Sequence, residues 1–271
     1  MNSLLIVDGF YFLYRNFYGI PHRYNSDGMN VNALEGFSYS LQRAKREYKY
    51  THTVVVLDSP EPTFRHQLCP DYKADRTVPA ELEPQIEHIE PMLKAMNVPY
   101  IKKPGYEGDD VIGTVAKRFS TNGERVTILT GDKDMTQLVN ENITVEEIFN
   151  RKFYNREGVK QRFGVYPEQI VDYLTLVGDV ADSIRGVPGI GNKTAVALLN
   201  ECKSLDYILE NLNKVKYKFS SILKENLESI KKDKQLATIV TDIEMELDLE
   251  SIRSREIDSD GIIEFKNTLF K

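Results

Sequence analysis

Apolar runs that stop on carboxylates constrain this chain more than anything else in it. Leu4-Leu5-Ile6-Val7 ends at Asp8, and Thr53-Val54-Val55-Val56-Leu57 ends at Asp58. Val98-Pro99-Tyr100-Ile101 leads to Glu107, Asp109 and Asp110, and Val126-Thr127-Ile128-Leu129-Thr130 to Asp132 and Asp134. Each run is short, nearly free of polar residues and followed by a helical pattern. Such runs read as strands buried on both faces of a parallel sheet, joined by crossover helices. In an open α/β sheet the C-terminal strand ends share one edge, where ligands bind. The acids of all four runs therefore converge.

Crowded carboxylates repel and resist ionisation unless cations neutralise them. Oxygen-only donors suit a hard divalent ion such as Mg²⁺ or Mn²⁺. Taken alone, the Glu107–Asp110 cluster has a second reading, an acidic first turn that favours the helix dipole. Asp8 alone equally reads as a cap. The recurrence at four strand ends favours metal.

The helix after Asp8 runs through Phe12, Leu13 and Phe17 and carries Tyr14 and Arg15. Those two read either as a base-stacking and phosphate-binding pair or as a core tyrosine and a solvated arginine. Asn32 and Glu35 have capping-box spacing for a helix to about Lys49. Residues 59–81 form a long connection with four prolines and Arg65, Tyr72, Lys73 and Arg76. A connection of this length is a functional lid or a solvated loop. One helix is expected over about 82–96, a β pair within 143–154, and helices near 155–163 and 167–177.

Asp179 and Asp182 lie three apart after the last of these helices. Gly186-Val187-Pro188-Gly189-Ile190-Gly191 then permits a tight hairpin, with Asn192 as the expected cap of the next helix and Lys193 adding charge. It does not follow a strand and lacks Walker A spacing. A helix–hairpin–helix grip on a nucleic-acid backbone fits better. Residues 214–234 hold seven lysines against three acids, whereas 242–258 are acidic; the second stretch is expected to face away from nucleic acid.

These motifs together resemble the bacterial 5′-nuclease family of flap endonucleases, which includes the N-terminal domain of DNA polymerase I. The resemblance runs from Val7-Asp8-Gly9 to at least Ala195. It takes in Leu13-Tyr14-Arg15, Phe64-Arg65, Tyr72-Lys73-Ala74-Asp75-Arg76, the acidic clusters and the glycine hairpin. It implies an α/β fold: a central, mostly parallel sheet flanked by helices, a helical arch and a C-terminal helix-three-turn-helix. The expected division is a nuclease core at 1–165, with the arch at about 59–90, and a helical DNA-binding region at 166–271. The implied ligands of two Mg²⁺ ions, with Mn²⁺ as a substitute, are Asp8, Asp58, Glu107, Asp109, Asp110, Asp132, Asp134, Asp179 and Asp182. Lys73 and Arg76 would engage the scissile phosphate. Tyr14, Arg15, Arg65, Tyr72, Gly189, Gly191 and Lys193 would touch DNA. A K⁺ site would use Ser183 and the carbonyls of Val187 and Ile190. The stretch departs from the family pattern at Ala181, Ser183 and Arg185, where Ser, Asn and Pro are usual.

The implied substrate is DNA with 5′ flaps, nicks or 5′ ends, RNA-primed strands included, in replication and repair. With nothing resembling a polymerase after the hairpin region, a stand-alone form is expected. The net charge of −6 argues against a DNA binder only until the nine ligand acids are set aside, which leaves 32 acids against 35 Lys plus Arg. Backbone binding should then weaken steeply with salt. Two cysteines without metal spacing point to a reducing, cytoplasmic compartment, and no apolar run is long enough for a membrane span. A monomer is expected. The rival readings are a PIN-like metal-dependent ribonuclease, a non-catalytic junction-binding module and a phosphohydrolase of small phosphoesters.

Overall fold

The computed structural model describes residues 2–269. β1 (Ser3–Asp8), β2 (His52–Leu57), β3 (Tyr100–Lys102), β4 (Arg125–Leu129), β5 (Ile143–Glu147) and β6 (Lys152–Tyr154) form one sheet in the order β3-β2-β1-β4-β5-β6. The first five strands are parallel, and β6 pairs antiparallel with β5 as the expected β pair. The four strands followed by acids are therefore adjacent, and their C-terminal ends do share an edge.

Strand alternation sends Leu4, Ile6, Val54, Val56 and Ile128 to one face and Leu5, Val7, Val55, Leu57 and Leu129 to the other. Both faces are buried, which is why the strands read as unbroken apolar runs. The second face is covered by α1 (Gly9–Gly19), α2 (Asn32–Glu47) and, after the short α3 (Phe64–Leu68) and α4 (Glu83–Ile86), by α5 (Ile89–Ala95). The first face packs on α6 (Gly108–Ser120). The helical region joins that same core. It comprises α7 (Arg156–Phe163), α8 (Ile170–Val177), α9 (Asn192–Cys202), α10 (Leu205–Glu210), α11 (Tyr217–Glu225) and α12 (Leu227–Ala237).

The helix expected over 82–96 is two helices, α4 and α5. Pro91 lacks the N–H that would continue the ladder to Glu87. The Asn32–Glu35 capping box does not form. Gln85 Oε1 instead accepts from the amides of Ala33 and Leu34 at 2.9 and 3.2 Å, while Glu35 pairs with Arg23. The acidic segment after α12 runs along α6, where Thr114, Lys117 and Arg118 hold Val240, Thr241 and Met245. It then reaches the far end of β2 through Ser254 N to Thr51 O, and α13 (Ser259–Leu269) packs on α5. No helix among the described residues is long and apolar enough to cross a membrane.

Candidate active site

Each strand end fixes its acid locally. Asp8 caps α1, taking the Tyr11 amide on Oδ1 at 2.9 Å and the Thr130 hydroxyl on Oδ2 at 2.7 Å. Asp58 Oδ1 accepts from Gly108 N at 2.6 Å. That approach requires glycine, since a Cβ there would stand 2.9 Å from the same oxygen. Asp132 Oδ1 accepts from the Asp134 amide at 2.8 Å. Asp8, Asp58, Glu107, Asp109 and Asp132 all line one cleft of about 680 Å³, with Tyr11, Tyr14, Lys73 and Arg76.

The second group comes from the helical region. Asp179 caps and Asp182 ends a single 3₁₀ turn, Val180–Asp182, pinned by the reciprocal backbone bonds of Asp179 and Ile184. Gly178 and Gly186 pack back to back behind it, at φ 87° and 72°, where any side chain would strike backbone. Carboxylate oxygens of Asp134, Asp179 and Asp182 lie within 4.8 Å of one another.

These acids are crowded and poorly compensated. Burial pushes the Asp8 carboxyl up to about 7 despite its two hydrogen bonds. Burial, then Asp132, pushes Asp134 up to about 8. Burial raises Asp58 and Asp132 as well, and burial with Asp132 lifts Asp109 well above the usual carboxylate range. For Asp182 burial acts in the same direction, but Lys73 and Arg76 outweigh it and hold the carboxyl below its ordinary value. Oδ1 of Asp134 is buried with no hydrogen-bond partner, alone in this among the described residues. A buried carboxylate oxygen left unmatched amid other acids fits a cation ligand, so the donor set suits a hard divalent metal.

The arch lies down on this cluster. Lys73 Nζ is 2.8 Å from Glu107 Oε2 and 3.1 Å from Asp182 Oδ1, and Arg76 is 3.0 Å from Asp182. The Lys73 backbone, at φ 53°, donates to Ser183 Oγ at 2.9 Å. Lys133 pairs with Asp179. Sequence reasoning passed over Lys133, although it stands between two of the acids it singled out.

Several expected roles need correction. Asp110 is fully buried and faces away from the cleft. Its two oxygens take a bidentate pair from Arg65 at 2.6 and 2.8 Å, and Oδ1 also takes Val240 N at 2.9 Å. With its charge matched by Arg65 and no place in the cleft lining, it stands apart from the other acids. Arg65 is 2% exposed and gives two further N–H groups to the carbonyls of Leu236 and Thr238, so it is buried structure and offers no exposed group to DNA. Tyr72, 3% exposed, packs edge-on against His66 and donates to Glu107, which leaves no ring face for a base. At the expected K⁺ site, the Ser183 hydroxyl is engaged with the arch at Lys73 and Asp71, and Val187 O already accepts from Ile190 N. Val187 and Ile190 turn their side chains into the core.

Tyr14 lines the cleft, and Arg15 is exposed beside it over the Phe149 ring. Gly189, Gly191 and Lys193 are exposed on the hairpin, and Gly191, not Asn192, is the cap of α9. The hairpin is held from beneath by Asp233, whose Oδ2 accepts from the amides of Arg185 and Gly186 at 3.1 Å each. Asp233 reads in the sequence as one acid in a lysine-rich surface, yet it is 2% exposed.

Comparison with known proteins agrees with this geometry. Residues 3–164 match the family model of the 5'-3' exonuclease N-terminal resolvase-like domain, and residues 165–260 that of the 5'-3' exonuclease C-terminal SAM fold. A 5'-3' exonuclease of Aquifex aeolicus is 39% identical over 95% of this chain and 89% of its own length. DNA polymerase I of Bacillus subtilis is 38% identical over 96% of this chain, which spans only 30% of that protein. Among solved structures, the T5 D15 protein co-crystallised with metal ions superposes with a TM-score of 0.75 at 20% identity, covering 99% of this chain and 98% of that one. The catalytic core of Rad2 in complex with DNA substrate gives 0.65 at 17% identity, over 99% and 88%. At those identities the structures speak for the fold, while the sequence matches speak for descent: the chain belongs to the 5′-3′ exonuclease family.

Proposed function

We propose that the chain is a metal-dependent 5′ nuclease that hydrolyses DNA phosphodiesters at 5′ flaps, nicks and 5′ ends. The observation that carries the reading is the buried, undercompensated carboxylate cluster with the partnerless Asp134 oxygen. Asp8, Asp58, Glu107, Asp109 and Asp132 would hold one Mg²⁺. Asp134, Asp179 and Asp182, sharing Asp132, would hold the second. Such a pair supplies an activated water and stabilises the leaving oxygen. Neutralising the acids also frees Lys73 and Arg76 from Glu107 and Asp182, so that they can meet the phosphate oxygens as charge develops. Both lie at the cleft, which supports that role.

The exposed hairpin with Lys193, and Arg15 beside the cleft, would grip the backbone without reading bases, which yields structure selectivity. A K⁺ ion at the hairpin would have to rely on backbone carbonyls without Ser183. The test is a 5′-labelled flap duplex incubated with Mg²⁺ beside an Asp132→Ala control. A short product from near the junction, absent without metal and in the control, is expected. Binding without cutting would replace the reading with the junction-binding module, and preferential cutting of single-stranded RNA with the ribonuclease.

A further inference from the structure

A second cavity, of about 370 Å³, opens beside the carboxylate cleft. Phe10 and Asp58 line both spaces, so the two are adjacent. The walls are apolar and come from distant parts of the chain: Phe10 of α1, Leu57 of β2, Pro60 and Val78 of the arch, Ile86 of α4 and Ile89 of α5. Leu57 and Ile89 form its floor as part of the core, Phe10 and Ile86 are partly buried against them, and Val78 is 43% exposed at the mouth.

We propose that this compartment is a nucleobase subsite, taking the base of a nucleotide next to the phosphate held at the carboxylates. The inference rests on the nuclease reading above. Charge decides between base and phosphate as occupant. Apart from Asp58, which belongs to the metal set, the rim holds Glu87 and Glu90 against a single cation, Lys102, which is paired with Glu90 at 3.2 Å. The other Glu90 oxygen takes the Tyr100 hydroxyl. An acidic rim with its one lysine committed repels backbone phosphate and tolerates a neutral ring. The floor offers apolar side chains rather than a donor and acceptor pattern, so any base would enter, as in stacking sites without sequence preference. The Phe10 ring lies 6.4 Å from that of Tyr14, which carries aromatic surface from the pocket along the cleft wall. The volume falls within the range of sites that enclose small flat ligands.

The experiment compares kcat/KM on intact flaps and on flaps with one abasic residue at each of the two positions on either side of the cut, for the native chain and for Ile86→Trp, which fills the pocket. Loss of one particular base should cost the native chain about ten- to hundredfold, and the variant should cut intact and abasic flaps alike. Indifference at every position overturns the proposal, as does a loss that persists unchanged in Ile86→Trp, which would move the base elsewhere. A second arm needs no variant: 2-aminopurine at the sensitive position, bound with Ca²⁺ in place of Mg²⁺, should change its emission, and an unchanged emission overturns the subsite. Failure to cut even the intact flap with metal would strike the nuclease reading instead, leaving the fluorescence arm to decide the pocket.

Discussion

Asp109 and Asp110 are neighbours in the first turn of α6, and the protein treats them in opposite ways. Asp110 is buried against Arg65, with its oxygens matched by guanidinium and amide N–H groups. Asp109 is buried among Asp8, Asp58 and Asp132, and its carboxyl is forced well above the usual range by that burial and by Asp132. One region closes its charge within the fold. The other stays open: it gathers more acids than Lys73, Arg76 and Lys133 can match, and that excess is what an external cation would neutralise. The Arg65–Asp110 pair also ties the arch base to the end of α12 through Leu236 and to the segment after it through Thr238 and Val240, and so joins the two halves that carry the acids. Buried acid alone therefore does not mark a site; buried acids that outnumber their counter-charges do.

Substitutions on the two sides should separate these roles. The largest effect belongs to the open cluster: Asp132→Ala should lower flap cleavage about a thousandfold or more while the melting temperature holds or rises, because a repulsive charge has gone. Lys73→Ala should reduce kcat by about a hundredfold, with a smaller change in KM, if the ammonium acts mainly in the transition state. On the closed side, Arg65→Ala should cost about 3–5 kcal/mol of stability, since it strands a buried carboxylate; denaturant unfolding measures it. An apolar pair of similar volume at 65 and 110 should restore most of that loss.

The smallest effect is a pH dependence. Asp8 and Asp134 have folded values near 7 and 8, above the usual carboxylate value of 3.8. Each then gives stability that is complete below about pH 4 and lost as pH rises through 7 to 8. Without metal the melting temperature should fall across that window. Mg²⁺, which binds the ionised acids, should raise it more at pH 8 than at pH 5.5. An equal rise at both values would break the link between the raised carboxylates and the metal.

The sheet was legible because strands buried on both faces write themselves as plain apolar runs, and the edge was legible because acids follow four of them. What stayed hidden was the direction of individual side chains. Asp109 and Asp110 look equivalent in sequence; only the position of Arg65, 45 residues earlier, tells them apart. Tyr72 sits in a charged, proline-rich stretch yet is core, because that stretch folds down onto the cluster through Lys73 and Ser183. The start of α2 is capped by Gln85 from a distant helix, so local capping signals at Asn32 misled. Asp233 looked like solvated charge because its partners are backbone amides of the hairpin, which no composition reveals.

The most direct test is a calorimetric Mn²⁺ titration of Asp109→Asn and Asp110→Asn, with thermal melts of both. Asp109→Asn should keep its stability and lose metal affinity, while Asp110→Asn should lose stability and, below its melting point, bind metal with the native stoichiometry. If Asp110→Asn stays as stable as the native chain and no longer binds metal, the division between closed and open carboxylates is wrong.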